Sequence, residues 1–174
     1  MYNPYSFLLA LYFLPFGYIP HKATRGISPA QTAGATPNTA TVAIDGKPFI
    51  VDVAASTLTL NTQSRYLTLT LNATTGSRIQ VIAQLENFKK TPGRYVIADP
   101  ISPSGLYFTE TVNSRVESFE PRMCPAGTRT VHIEDFNEKQ HRIRGTFSGI
   151  VCNGRGRTVQ VTKGEFNLPF ETVH

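Results

Sequence analysis

The chain has no tryptophan, only two cysteines and few charged residues. Charged residues make up 17% of the 174 residues. Beyond the first twenty positions there is no long apolar run, and no stretch shows the 3.6-residue period of an amphipathic helix. These shortages exclude a body built on long surface helices. The length still suits one domain that buries its core without help from a metal.

The two cysteines, Cys124 and Cys152, are too few and too far apart for a zinc site. A four-coordinate site needs further Cys or His ligands at short, fixed intervals. In an exported chain such a pair indicates one disulfide. In a cytosolic chain it indicates two buried thiols.

The most apolar run is YSFLLALYFLPFGYI at residues 5–19. It is short for a bilayer span, which needs ~20 residues, and Pro15 and Gly17 interrupt it. These features favour a secretory signal. No basic residue precedes the run, and the Ala33-Gly34-Ala35 cleavage-like site lies far downstream. A retained membrane anchor and a different true start therefore stay open.

The expected organisation has three parts. Residues 1–20 form the signal or hydrophobic segment. Residues 21–40, rich in Ala, Thr, Gly and Pro, form a flexible linker. Residues 41–174 form a single β domain. The expected location is secreted, periplasmic or at the cell envelope.

The body alternates apolar and polar residues with the period of half-buried strands. Asp45-Gly46 predicts a tight hairpin turn, and Leu58/Leu60 share one face while Thr59 takes the other. Prolines between positions 100 and 125 suggest that LYFTETV is an edge strand. About nine or ten short strands are expected. The fold class is all-β, an antiparallel sandwich or a barrel-like meander.

The last hairpin, within Thr128–Phe170, allows a register prediction. Pairing Ile133 with Ile143 keeps the apolar residues on one face and places Glu134 opposite Arg142. The same register places Cys124 opposite Cys152. We therefore expect a disulfide between two neighbouring strands.

Three segments resemble an uncharacterised family of secreted or lipid-anchored β-domains from Bacteroidetes-type bacteria. They are GKPFIVDVA, LTLTLNATTG and RIRGTFSGIVCNGRGRTVQVTKGEFN. The resemblance covers roughly residues 42–170 and implies an exported β-domain. It brings no activity, ligand or catalytic residue. The chain lacks the family's lipid-anchor cysteine, and its turn at 154–157 is unusually basic.

No pattern in the chain indicates catalysis, a cofactor or a metal. The G-x-S-x-G nucleophile elbow is missing. His132 and His141 do not face each other in the expected hairpin register. The acidic residues Glu134, Asp135 and Glu138 are expected to form a solvated turn.

The basic excess lies between Lys139 and Lys163, a segment without any acidic residue. The candidate anion-contacting residues are Arg142, Arg144, Arg155, Arg157 and Lys163. Guanidinium groups suit acidic glycans or lipid headgroups because each binds an oxyanion bidentately. A nucleic-acid partner is not expected, because the aromatic-interleaved basic strand of an RNA-binding sheet is absent.

Three functions follow as expectations. The first is an exported, non-enzymatic binding or envelope-associated module. The second is a lipocalin-like carrier of a small apolar ligand, which requires a sheet closed around a cavity. The third is an envelope hydrolase, which requires convergent polar residues in a cleft.

Overall fold

The computed structural model describes residues 37–74, 79–99, 101–124 and 127–174. The signal segment, most of the linker and the turn predicted at Thr75-Gly76 lie outside these ranges. Within them no helix is both long and apolar enough to cross a bilayer.

The described residues form twelve strands and one 3-10 turn. In chain order they are β1 (Thr39–Ile44), β2 (Lys47–Phe49), β3 (Val51–Asn61), β4 (Tyr66–Ala73), β5 (Gln80–Leu85), β6 (Gly93–Ile97), β7 (Gly105–Val112), β8 (Arg115–Phe119), the 3-10 turn (Pro121–Met123), β9 (Arg129–Asn137), β10 (Arg142–Cys152), β11 (Thr158–Pro169) and β12 (Glu171–Val173). The prediction of an all-β fold is confirmed. The first strand begins at Thr39, two residues before the expected start of the β domain at residue 41.

The strands make two six-stranded sheets. Sheet 1 has the order β2-β1-β11-β10-β9-β6, and sheet 2 has the order β12-β3-β4-β5-β7-β8. All pairings are antiparallel except that of β12 with β3. The stretch LYFTETV lies in β7, between β5 and β8, so the expectation of an edge strand there was wrong. The edge strand on that side of sheet 2 is β8, and β12 forms the opposite edge.

The core lies between the inner faces of the two sheets. Leucines of β3 and β4 meet valines and phenylalanines of β9, β10 and β11 in one buried cluster. The predicted inward residues Leu58, Ile133 and Phe147 are each at most 3% exposed. The two sheets are thus those of a filled sandwich rather than a closed barrel. The described residues give no support to a lipocalin-like carrier.

The alternation in the last hairpin was predicted correctly, but its register was not. Ile133 faces Gly145, two positions further along β10 than expected. The pairing slips by one residue between Arg144 and Gly145, which leaves Glu134 as the extra residue of a bulge. Arg142 accordingly faces Asn137 rather than Glu134. The sequence carries a trace of this insertion, because the apolar residues Val131, Ile133 and Phe136 are spaced two and then three positions apart, and the prediction did not use Phe136.

Cys124 and Cys152 form a disulfide with a Cα–Cα distance of 5.1 Å. The predicted partners are right, but Cys124 does not lie in a strand opposite Cys152. It follows the 3-10 turn, where an isolated bridge pairs Glu120 with Cys152. Because that turn continues from β8, the bond joins the edge of sheet 2 to β10 of sheet 1.

Candidate functional site

The five predicted anion-contacting residues do not form one patch. Arg142 and Arg144 lie where β10 begins, whereas Arg155 and Arg157 lie in the turn beyond its other end. Cys152 lies ten positions after Arg142 along β10. At ~3.3 Å per residue, the two ends of the strand are on the order of 33 Å apart. Anion contact by the whole set stays a prediction, and a single flat partner would have to span both ends.

Arg142 is engaged within the protein. Its Nε donates to Asn167 Oδ1 at 2.7 Å, and its Nη1 donates to Asn38 Oδ1 at 3.1 Å. Its Nη2 donates to the carbonyl oxygens of Pro37 at 2.8 Å and of Asn167 at 3.0 Å. The guanidinium therefore holds the start of β1 against β11. Arg144 in turn pairs with Glu134 at 3.1 Å.

Arg155 and Arg157 are paired with acids of sheet 2. Glu110 and Glu117 face each other across β7 and β8. Arg155 Nη1 lies 3.3 Å from Glu117 Oε1, and Arg157 Nη1 contacts Glu110 Oε1 at 2.5 Å. The buried side chain of Asn153 accepts bonds from both arginine backbone amides and so shapes the turn. This network ties the two sheets together next to the disulfide.

Lys163 occupies a bulge in β11. Its φ is +51°, and the following Gly164 is needed because a Cβ there would lie 2.6 Å from the Phe147 carbonyl oxygen. The Lys163 side chain borders a shallow depression of about 200 Å³ on the outer face of sheet 1, with Thr130 and Ser148. Among the described residues it has no ion-pair partner.

The histidines and acidic residues considered in the sequence analysis lie apart in the described part of the chain. No three His, Cys, Asp or Glu side chains are grouped there to hold a metal ion. His132 faces Thr146, whereas the His141 ring lies against Phe170 at 5.3 Å. The predicted acidic turn is partly neutralised, because Glu138 pairs with Lys90.

A second basic site, which we call the basic cleft, was missed by sequence reasoning. It lies at one end of the sandwich and has a volume of about 490 Å³. It is formed by the end of β3, the β3–β4 turn and the segment that follows β5. The lining residues are Leu60, Asn61, Thr62, Arg65, Phe88, Lys89 and Lys90.

Backbone hydrogen bonds hold the two loops of the basic cleft together. The Phe88 amide donates to the Arg65 carbonyl oxygen at 2.9 Å. The Ser64 amide donates to Asn61 Oδ1 at 2.9 Å, which fixes the β3–β4 turn. The backbone at Arg65 is therefore tied directly to the backbone at Phe88, two residues before Lys90.

The loops of the basic cleft are conformationally strained. Arg65, Asn87 and Lys90 each have a φ of +56°. The left-handed region costs an L-residue other than Gly or Asn roughly 1–2 kcal/mol. Strain of this kind concentrates at ligand clamps and switch regions. Two of the three positions carry cations where glycine would relieve the strain.

Positive charge at the basic cleft exceeds negative charge. Lys90 Nζ lies 3.7 Å from Glu138 Oε1, and both side chains are largely exposed. Arg65 and Lys89 have no side-chain partner among the described residues. The neighbouring Glu86 accepts a hydrogen bond from the Tyr66 hydroxyl at 3.2 Å. Two cations thus remain free to contact a ligand.

Arg129 differs from the cations of the basic cleft because its side chain is buried. It is 1% exposed, and its Nε and Nη1 atoms have no hydrogen-bond partner among the described residues. Its Nη2 donates to the Gly127 carbonyl oxygen at 2.6 Å. Burial lowers the pKa of this guanidinium from its ordinary value. The side-chain stem crosses Gly149, where a Cβ would lie 2.5 Å from Arg129 Cγ.

The chain matches no protein-family model, no curated protein and no solved structure. The fold and the two basic regions therefore carry the functional argument.

Proposed function

We propose that this protein is an exported, non-enzymatic binding domain that contacts an anionic partner outside the cytoplasm or at the cell envelope. The disulfide between Cys124 and Cys152 supports export, because disulfides persist in oxidising compartments. The apolar run at residues 5–19 supports it independently as a secretory signal.

One observation carries the binding part of the proposal. Arg65, Lys89 and Lys90 line one cleft, and the only carboxylate paired with them among the described residues is that of Glu138. Strained loops that present unpaired cations are typical of a ligand clamp. Acidic glycans and anionic lipid surfaces are the partner classes that suit them.

The test is retention of the purified protein on immobilised acidic polysaccharide and on anionic vesicles. We expect retention at low salt and release at high salt, because the Debye length falls from ~10 Å at 0.1 M to ~3 Å at 1 M. The variant Arg65→Asn/Lys89→Gln/Lys90→Asn should lose retention. Asn is chosen at the two left-handed positions because it tolerates that conformation.

The variant Arg155→Ser/Arg157→Ser tests the basic turn in the same assay. We expect a smaller loss, because these arginines are already paired with Glu110 and Glu117. Two outcomes would overturn the proposal of an anionic partner. One is retention that does not depend on salt concentration, and the other is equal retention of the wild type and both variants.

A further inference from the structure

We infer that the ligand of the basic cleft is a monomeric anionic amphiphile, namely a carboxylate, phosphate or sulfate head on an alkyl chain. This inference rests on the proposed anion-binding function and names its substrate class. It depends on the apolar character of the cleft, which the charge argument did not use.

The basic cleft is lined mostly by apolar surface. Leu60 and Phe88 are among its lining residues but are only 2% and 1% exposed, so most of the apolar surface open to a ligand belongs to the other lining side chains. Arg65, Lys89 and Lys90 have long alkyl stems, which can cover apolar surface while their charges stay in water. A purely polar anion would leave this lining unused.

The size of the basic cleft fits a small molecule. Its volume of about 490 Å³ falls within the ~300–1,000 Å³ typical of small-molecule sites. The three other depressions that we compared have volumes of about 200, 280 and 380 Å³. Of these four, only the basic cleft combines a mostly apolar lining with more than one unpaired cation.

The backbone that carries the cations is fixed before any ligand arrives. The Phe88–Arg65 backbone bond ties the two loops together, and Arg65 and Lys90 both hold the left-handed conformation. Loops that are already ordered cost less to fix on binding, which favours affinity for a small ligand. Glu138 makes only an exposed 3.7 Å pair with Lys90, so an anionic head can displace it.

The experiment is calorimetric titration of the full chain with hexanoate, octanoate and decanoate below their micellar concentrations. Each added methylene that enters the cleft should lower Kd about fourfold. Octanol, which lacks the charge, and acetate, which lacks the chain, should both bind at least tenfold more weakly than octanoate. In a parallel NMR titration with the same ligands, the backbone amide chemical shifts of Phe88, Lys89 and Lys90 should change.

Two variants that each lose three positive charges distinguish binding in the cleft from an effect of net charge. Arg65→Asn/Lys89→Gln/Lys90→Asn should raise Kd for decanoate at least tenfold.

The control variant is Lys47→Gln/Arg94→Gln/Arg115→Gln. It removes three exposed cations that have no described side-chain partner and do not line the basic cleft. This control should bind decanoate as the wild type does. Equal weakening by the two variants would overturn the assignment to the cleft.

The remaining outcomes separate this inference from the proposed function. If decanoate does not bind but anionic vesicles still retain the protein, the monomeric ligand is wrong and the anion-binding function survives. If neither decanoate nor any acidic surface binds, both fail. A Kd indifferent to chain length, with the charge dependence intact, would overturn the amphiphile and leave a simple anion site.

Discussion

Arg129 is the residue whose environment least resembles that of its type. Arginine in proteins keeps its charge, so a buried guanidinium with two unpaired nitrogens retains a desolvation cost. Its alkyl stem nevertheless fills the space over Gly149. The packing of this side chain therefore stabilises the fold, whereas its buried charge destabilises it.

Replacing Arg129 by Met separates these two effects. Met keeps most of the stem volume and removes the buried charge, so we expect the unfolding free energy to rise by about 1 kcal/mol. Urea denaturation of both proteins measures the difference. Arg94→Met, at an exposed position, serves as the control and should change stability by less than ~0.5 kcal/mol. A loss above ~2 kcal/mol in Arg129→Met would mean that the two nitrogens are paired in the native protein.

At the scale of the element, the bulge at Glu134 and the glycine beside it shape the β9–β10 pair. Gly145 lies opposite Ile133 next to the bulge, and a Cβ there would lie 2.4 Å from the His132 carbonyl oxygen. The obstacle is backbone and cannot rotate away. A Phe166 ring atom 3.0 Å from the same Cβ closes the other side.

Gly145→Ala should therefore destabilise the protein by about 2–3 kcal/mol, in the range of overpacked cores. Gly154→Ala is the matched control, because a Cβ at Gly154 would meet nothing within 4 Å. We expect that control to change stability by less than ~0.5 kcal/mol. Thermal or urea unfolding of both variants decides the matter, and equal stabilities would show that the strands can separate to admit a methyl group.

The element scale also shows what the sequence could and could not reveal. The faces of Leu58, Ile133 and Phe147 followed from a period of two, because side-chain alternation is local. The register is not local, because it depends on how the two strands meet around the bulge at Glu134. At Ile133 it differs from the expected register by two positions, which leaves the faces of Ile133 and Phe147 unchanged.

The basic cleft was missed for a related reason. Arg65 and Lys89 lie in loops separated by two strands, and no short motif joins them. A signal was present, because a meander returns the end of β5 to the same edge as the β3–β4 turn. The segment from Lys139 to Lys163 drew attention instead, since its charges are contiguous in sequence. Their partners Glu110 and Glu117 come from distant strands.

At the scale of the whole molecule, one disulfide connects the two sheets. The cysteines are 28 positions apart, and the bond joins the segment after β8 to the end of β10. Cross-linking a loop of this length contributes ~3–4 kcal/mol in the chain-entropy model.

Cys124→Ser/Cys152→Ser should lower the unfolding free energy by that amount, and a reductant should do the same to the wild type. Urea midpoints with and without reductant measure both effects, and the reductant should not affect the double variant. Mass analysis of the native protein, alkylated without prior reduction, checks the bond itself. Two freely alkylated thiols would contradict it.

Where the folded body starts is a second question at this scale. Ala40 is 9% exposed and pairs with Phe166, and Arg142 binds Pro37 and Asn38. A chain that begins at Thr41 loses these contacts, so we expect it to be less stable than one beginning at Pro37 by about 1–2 kcal/mol. Comparing the thermal midpoints of the two shortened chains measures this. Equal midpoints would show that β1 needs only residues 41–44.

The pairing of β1 with β11 governs the order in which the molecule can assemble. Thr39 lies opposite Asn167, so β1 finds its partner 128 positions further along the chain. Sheet 1 is completed only after β11 has been synthesised, and until then one edge of β1 is unpaired. Such long-range closure makes folding slow and leaves the nascent chain open. A chain interrupted anywhere between β1 and β11 would therefore leave β1 without its partner, so sheet 1 cannot form from either half of the body alone.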